Sequence, residues 1–175
     1  MTYAELIASA LRLGSGLSQL LPRGATLVVF SPNSLLFPTV LFGSIAAGII
    51  VSGASPSFTA SELQYQLEDS GASIIVSAWE LRAVAQEAAK AAGWRDGRIY
   101  LLPGVGGERE TAGAGFKDYS ELIGQDGFSP VVIDDPATTV ACEWVSSSRR
   151  VAKLKYLVQI YHTRPVLRES LRAFS

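Results

Sequence analysis

Between residues 28 and 76 the chain shows two turns of one pattern. A short apolar run rich in β-branched residues ends in a cluster of Ser, Pro and Asn, a helical segment follows, and another apolar run begins. The runs Val28-Val29-Phe30, Ile49-Ile50-Val51 and Ile74-Ile75-Val76 are too short for core helices and lack polar alternation. Such runs suit strands covered on both faces, which is how a parallel sheet reads. Parallel neighbours need a crossover between them, and the intervening segments are long enough to be helices.

Punctuation along the chain supports this alternation. Thr2 and Glu5 have capping-box spacing, in which the hydroxyl takes a first-turn amide and the carboxylate reaches back. Leu6, Ile7, Ala10, Leu13, Leu17, Leu20 and Leu21 then recur at near-helical spacing, and Pro22-Arg23-Gly24 ends the helix. A first strand is expected over 25–30. Asn33 or Ser34 then caps a helix with Pro38 at or just past its first turn, where a missing N–H costs least. Gly43, Ala46, Ala47 and Gly48 give that helix a small-residue surface for close packing on a sheet.

A second strand follows over 49–52. Thr59 and Glu62 form another capping box, with Phe58 and Leu63 as its hydrophobic staple. Gly71 stops that helix in a left-handed conformation. A third strand covers 73–76, and Ser77 with Glu80 repeats the capping-box spacing before an alanine-rich helix ending at Gly93. A fourth strand is expected over 98–102. Residues 103–115, rich in glycine and charge, read as a loop, 118–123 as a short helix or turn, and 128–133 as a strand or connecting segment.

With 175 residues, 48% of them hydrophobic, the chain is large enough for one domain with a sizeable core. A single cysteine, Cys142, excludes an internal disulfide framework and suits a reducing compartment. No basic-then-apolar leader opens the chain, and the most apolar stretch, 35–51, is interrupted by Pro38, Gly43 and Gly48. It reads as a crossover helix running into a strand, not as a membrane span. A cytoplasmic location is expected; Ala173-Phe174-Ser175 is no S-K-L-like peroxisomal address. The net charge of −1 hides a division: residues 149–175 carry +6 and residues 1–148 carry −7.

From Thr2-Tyr3-Ala4-Glu5-Leu6 to about Ala141, the sequence resembles the N-terminal part of the adenylate-forming acyl-CoA synthetases, the 4-coumarate–CoA ligase type above all. Pro32-Asn33-Ser34, Gly43, Ala47-Gly48, Ala54 to Pro56, Thr59-Ala60 with Glu62-Leu63, and Asp69-Ser70-Gly71 carry the likeness. The resemblance implies an α/β fold: an open, mainly parallel sheet of four or five strands with helices on both faces, forming part of the family's N-terminal domain. It also implies an activity, in which ATP activates a carboxylic acid as an acyl-adenylate and coenzyme A then displaces AMP. ATP, magnesium and coenzyme A are the implied cofactors of the complete enzyme.

In that family a strand near this point leads into a loop of the type S-S-G-T-T-G-x-P-K-G. Glycines there let backbone amides approach the phosphates, hydroxyls add donors and the lysine adds positive charge. Here the corresponding stretch, Glu143 to Lys153, reads EWVSSSRRVAK. Ser146, Ser147 and Lys153 match as a remnant, but all three glycines are absent and two arginines stand in the loop. No intact nucleotide site, no catalytic residue and no cofactor are therefore expected for this chain by itself. The family's acyl pocket and mobile C-terminal domain belong beyond Ser175, and a short N-terminal lead is missing, so the chain is expected to be truncated and inactive alone. A shifted reading frame or a misplaced splice site would account for the break: if Ser148, Arg149, Arg150 and Val151 were encoded TCA CGA CGG GTN, another frame would read ACG ACG GGT, Thr-Thr-Gly.

The other chemistry-bearing residues have structural readings beside the functional ones. Gly104, Gly106 and Gly107 follow a strand without spelling either phosphate-loop spacing. His162 is the only histidine and lies in the basic segment, which leaves no zinc cluster and no Ser-His-Asp triad. Asp134-Asp135 before Pro136 reads as a solvated turn, Glu5, Glu62 and Glu80 as capping partners, and Trp79, Trp94 and Trp144 as core or lid residues. Two domains follow: a family-like part over 1–148 and a basic segment over 149–175, expected to be partly disordered. In that segment Val151, Leu154, Val158 and Tyr161 have loose helical spacing among lysines. As an alternative, the chain is an interaction module that pairs with a separately encoded ligase remainder or homologue, or binds through this basic segment. No nucleic acid is expected as a partner.

Overall fold

A computed structural model describes residues 1–95, 97–103, 115–133 and 139–144. In chain order the elements are α1 (Tyr3–Leu20), β1 (Thr26–Phe30), α2 (Phe37–Ala46), β2 (Ile50–Ala54), α3 (Ala60–Ser70), β3 (Ala72–Ser77), α4 (Arg82–Ala91), β4 (Ile99–Leu101), β5 (Phe116–Asp118) and β6 (Cys142–Trp144). The strands form one sheet in the order β5-β4-β3-β1-β2-β6, and every pairing is parallel. The α/β class and the helices on both faces are as the sequence predicts. The described sheet has six strands where four or five were expected. The additional β5 is a three-residue Phe-Lys-Asp strand without an apolar run.

Two apolar layers flank the sheet. On one face Leu13 and Leu17 of α1 and Val40 of α2 pack with Leu27, Val29, Val51, Val76 and Tyr100. On the other, Leu63 and Leu67 of α3 and Ala85, Ala88 and Ala89 of α4 pack with Val28, Phe30, Ile75 and Leu101. Adjacent residues of β1 thus point to opposite faces and are all buried, which explains why the strand runs apolar without alternation from Leu27 to Phe30.

Two of the capping boxes form as read. Thr2 and Glu5 exchange side-chain-to-backbone bonds at the start of α1, as do Thr59 and Glu62 at the start of α3. Gly71 ends α3 at φ +62°, the left-handed conformation that glycine adopts without a Cβ clash. Ser77 and Glu80 do not form the third. Ser77 is the last residue of β3 and fully buried, its hydroxyl donates to the Ala78 carbonyl, and α4 begins only at Arg82 after the 3-10 turn Trp79–Leu81. Nor do Asn33 and Ser34 cap α2 through their side chains; its N-cap is Leu36, and Pro38 sits in the first turn as expected. A capping box does form between Asp118 and Glu121, at the 3-10 turn Tyr119–Leu122.

Gly43 serves a different contact from the one expected. A Cβ there would meet the Ala10 carbonyl at 2.8 Å and Leu13 at 2.9 Å, so the small residue lets α2 pack on α1 and not on the sheet. Residues 119–133 then run as a strap across this helical layer and form no strand over 128–133. The Gly124 amide donates to the Arg12 carbonyl, the Val131 amide to the Ala46 carbonyl and the Arg23 guanidinium to the Val132 carbonyl. An exposed Arg12–Asp126 pair at 3.6 Å adds little, because solvent screens it.

Tyr119 anchors the strap in the core, and its hydroxyl is buried without a partner. Burial pushes its pKa up from 10.0 to about 12. Between those values the unfolded chain loses the proton and the folded chain keeps it, so this contribution to stability is intact below pH 10 and declines as pH rises towards about 12. Tyr119→Phe is expected to fold at least as stably at neutral pH and to flatten the alkaline decline. Urea titrations of both proteins at stepped pH check this, and parallel alkaline losses would refute it.

Candidate functional site

Because all strands run the same way, their carboxyl ends lie along one edge of the sheet. The chain leaves β1 towards α2 on one face and leaves β3 towards α4 on the other, although β1 and β3 are neighbours. Their connections diverge at the carboxyl edge, and the crevice outside such a switch point is where open α/β sheets bind ligands. This crevice is the candidate site. The sequence shows the loops that border it, but not the strand order that brings them together.

Its walls are held by backbone bonds. The Ala78 amide donates to the Phe30 carbonyl at 2.9 Å, joining the ends of β3 and β1, and the Leu102 amide donates to the Ser77 carbonyl at 2.8 Å. Ser31 is buried and its hydroxyl donates to the Pro32 carbonyl, while Pro32, Asn33 and Ser34 are exposed at the mouth. The Phe37 amide closes the turn onto the Ser34 carbonyl. At the end of β2, Ser55 and Ser57 share a hydroxyl–hydroxyl bond of 2.8 Å. Arg82, at the start of α4, donates to the Trp79 carbonyl and lies 4.5 Å from the centroid of that ring. Trp79 and Trp94 both pack partly buried against the core, as expected.

Gln66 supports the edge from below. It is fully buried on α3, and its amide nitrogen donates to the Ser52 hydroxyl at 2.9 Å and to the Gly53 carbonyl at 3.0 Å. These bonds fix the last turn of chain before the Ala54-Ser55 loop. The Gln66 side-chain oxygen has no partner in the structure.

This edge supplies hydroxyls, backbone groups and one guanidinium, the means to hold a polar ligand. Among the described residues no group of His, Cys, Asp or Glu is arranged to hold a metal ion. Cys142 is buried in β6 and burial pushes its thiol pKa up, away from the reactive thiolate. Glu5 and Glu62 are engaged as capping carboxylates.

Ser146, Ser147 and Lys153, the remnant of the expected phosphate loop, lie outside the described residues, as do Gly104, Gly106, Gly107, Asp134, Asp135 and His162. The approach to that loop is described. β6 pairs in parallel with β2 through Val51–Cys142, Ser52–Glu143 and Gly53–Trp144, so the chain reaches Trp144 at the same carboxyl edge as the crevice. Among the described residues no helix is long and apolar enough to cross a membrane.

Comparison with known proteins agrees with this architecture. The profile of the AMP-binding enzyme family matches residues 1–139. A protein of Emericella nidulans that bears the name of an acyl-coenzyme A synthetase is 28% identical over 178 residues, 97% of this chain and 32% of its own length. A long-chain-fatty-acid–CoA ligase of Escherichia coli O6:H1 is 44% identical over 82 residues, 43% of this chain and 14% of the ligase. Among solved structures, apo MbtA of Mycobacterium smegmatis superposes with a TM-score of 0.66 at 27% identity, over 83% of this chain and 26% of that one. The long-chain-fatty-acid–CoA ligase FadD1 of Archaeoglobus fulgidus gives a TM-score of 0.70 at 23% identity, over 84% and 28%, a likeness of fold. The chain thus spans a third or less of the length of these relatives. With a family match over most of its length and a parallel sheet of the same fold, the chain belongs to the AMP-binding enzyme family.

Proposed function

We propose that this chain is the N-terminal sheet of an AMP-forming acid–CoA ligase of the 4-coumarate type, and that it does not form an acyl-adenylate by itself. The carrying observation is the course of β6, which brings the chain to the same carboxyl edge as the β1–β3 crevice, with β2 standing between β6 and β1. A phosphate-binding loop placed there would complete the site. The residues that follow, Ser146 to Lys153, contain no glycine, so every one of them carries a Cβ where backbone amides would have to approach phosphate. They do not fit ATP, and no catalytic step is assigned to this chain.

The 4-coumarate type is supported by the resemblance over 2–141 and by 34% identity over 77 residues to a 4-coumarate–CoA ligase-like protein of Oryza sativa subsp. japonica. The higher identity to the Escherichia coli ligase makes a long-chain fatty acid the competing substrate class. A reading-frame break at Ser148 explains the missing glycines and the turn to +6 over residues 149–175. One experiment with two arms tests this. The chain as it stands is expected to give no ATP–pyrophosphate exchange with 4-coumarate or a long-chain fatty acid, and its coding DNA to contain an SSGTTG-like reading in another frame near Ser148. Exchange above background refutes inactivity; absence of that reading in every frame refutes the frame break.

A second reading, an interaction module that pairs with a separately encoded remainder, draws on the outer side of β6, which has no neighbouring strand among the described residues. An open parallel edge is a template for another chain. Co-purification of such a remainder favours this reading, and recovery of the chain as a soluble monomer on its own removes it.

A further inference from the structure

We draw no further inference here: the strongest candidate, the basic recess at the C-terminus of α4 lined by Lys90, Trp94, Arg95 and Arg98 with Lys117 beside Gly97, carries nothing, because Lys90 complements the helix end, Arg98 stacks on Trp94, Lys117 donates to the Tyr100 hydroxyl and no other observation points to a ligand.

Discussion

Gly16→Ala is expected to destabilise the protein by about 3 kcal/mol, against the usual preference for alanine in a helix. In an unencumbered helix the exchange would stabilise by about 1 kcal/mol. At Gly16 a Cβ would lie 2.0 Å from the Leu122 carbonyl oxygen, 2.7 Å from its carbon and 2.9 Å from the Gly124 nitrogen. These are backbone atoms, which cannot rotate aside as a side chain can, so the strap itself must lift. Lifting it breaks the 2.8 Å bond from the Gly124 amide to the Arg12 carbonyl and draws Phe128 off its seat against Gly14. The steric term therefore outweighs the propensity term.

Urea unfolding measures the stability loss, and amide hydrogen exchange at Gly124 locates it. Gly24→Ala is the control. Gly24 has φ +83° and nothing within 4 Å of the added Cβ, so its cost is the conformational one alone, about 1–2 kcal/mol, with the strap undisturbed. A Gly16→Ala protein as stable as the parent, or one destabilised with unchanged exchange at Gly124, would show that the strap is not held by this contact.

The strap also marks the boundary of what the sequence makes legible. The central strands announce themselves as apolar runs because both faces of the sheet are covered. Residues 73–76 and the observed Ala72–Ser77 differ only at the ends. The capping boxes of α1 and α3 are equally local, since donor and acceptor lie three residues apart. Ser77 and Glu80 have the same spacing and fail because the pairing of β3 with β1 and β4 carries the strand as far as Ser77. A tertiary demand overrides a local motif there. Gly14 and Gly16 inside a helix hint at a close approach, but what approaches them, Phe128 and Leu122, lies more than a hundred residues away in the chain.

The candidate site was less legible than the fold for the same reason. Ser31, Ser77 and the Ser55–Ser57 turn read locally as loop and cap residues. Only the order β3-β1-β2 turns them into borders of one crevice, and strand order is a product of pairing between distant segments. The resemblance pointed to the phosphate loop instead, at Ser146, Ser147 and Lys153. Its connection with the crevice is visible through β6 and not through those residues themselves.

Phe30→Ala is expected to have the largest effect of a core substitution near that crevice, about 3–5 kcal/mol. Among the described residues Phe30 is the largest fully buried side chain, and it lies at the carboxyl end of β1, with β2 on one side and β3 on the other. Its ring belongs to the layer formed with Leu63, Leu67 and Ala85, so truncation removes apolar contact and leaves a cavity between α3, α4 and the sheet. The next residue is Ser31, and the Phe30 carbonyl takes the Ala78 amide, so the cavity opens beneath the joint that holds the β1 and β3 loops together. A loss of this size is comparable with the whole stability of a small domain. The variant is therefore expected to accumulate unfolded or insoluble. Phe30→Leu, which keeps most of the apolar volume, should remain folded with a loss of about 1–1.5 kcal/mol. Phe42→Ala supplies the contrast: that ring is 49% exposed on α2, and its truncation should cost well under half as much as the core change. Denaturant midpoints order the three proteins. Equal losses at Phe30 and Phe42 would mean that the β1 end is not the packed centre from which the crevice loops are positioned.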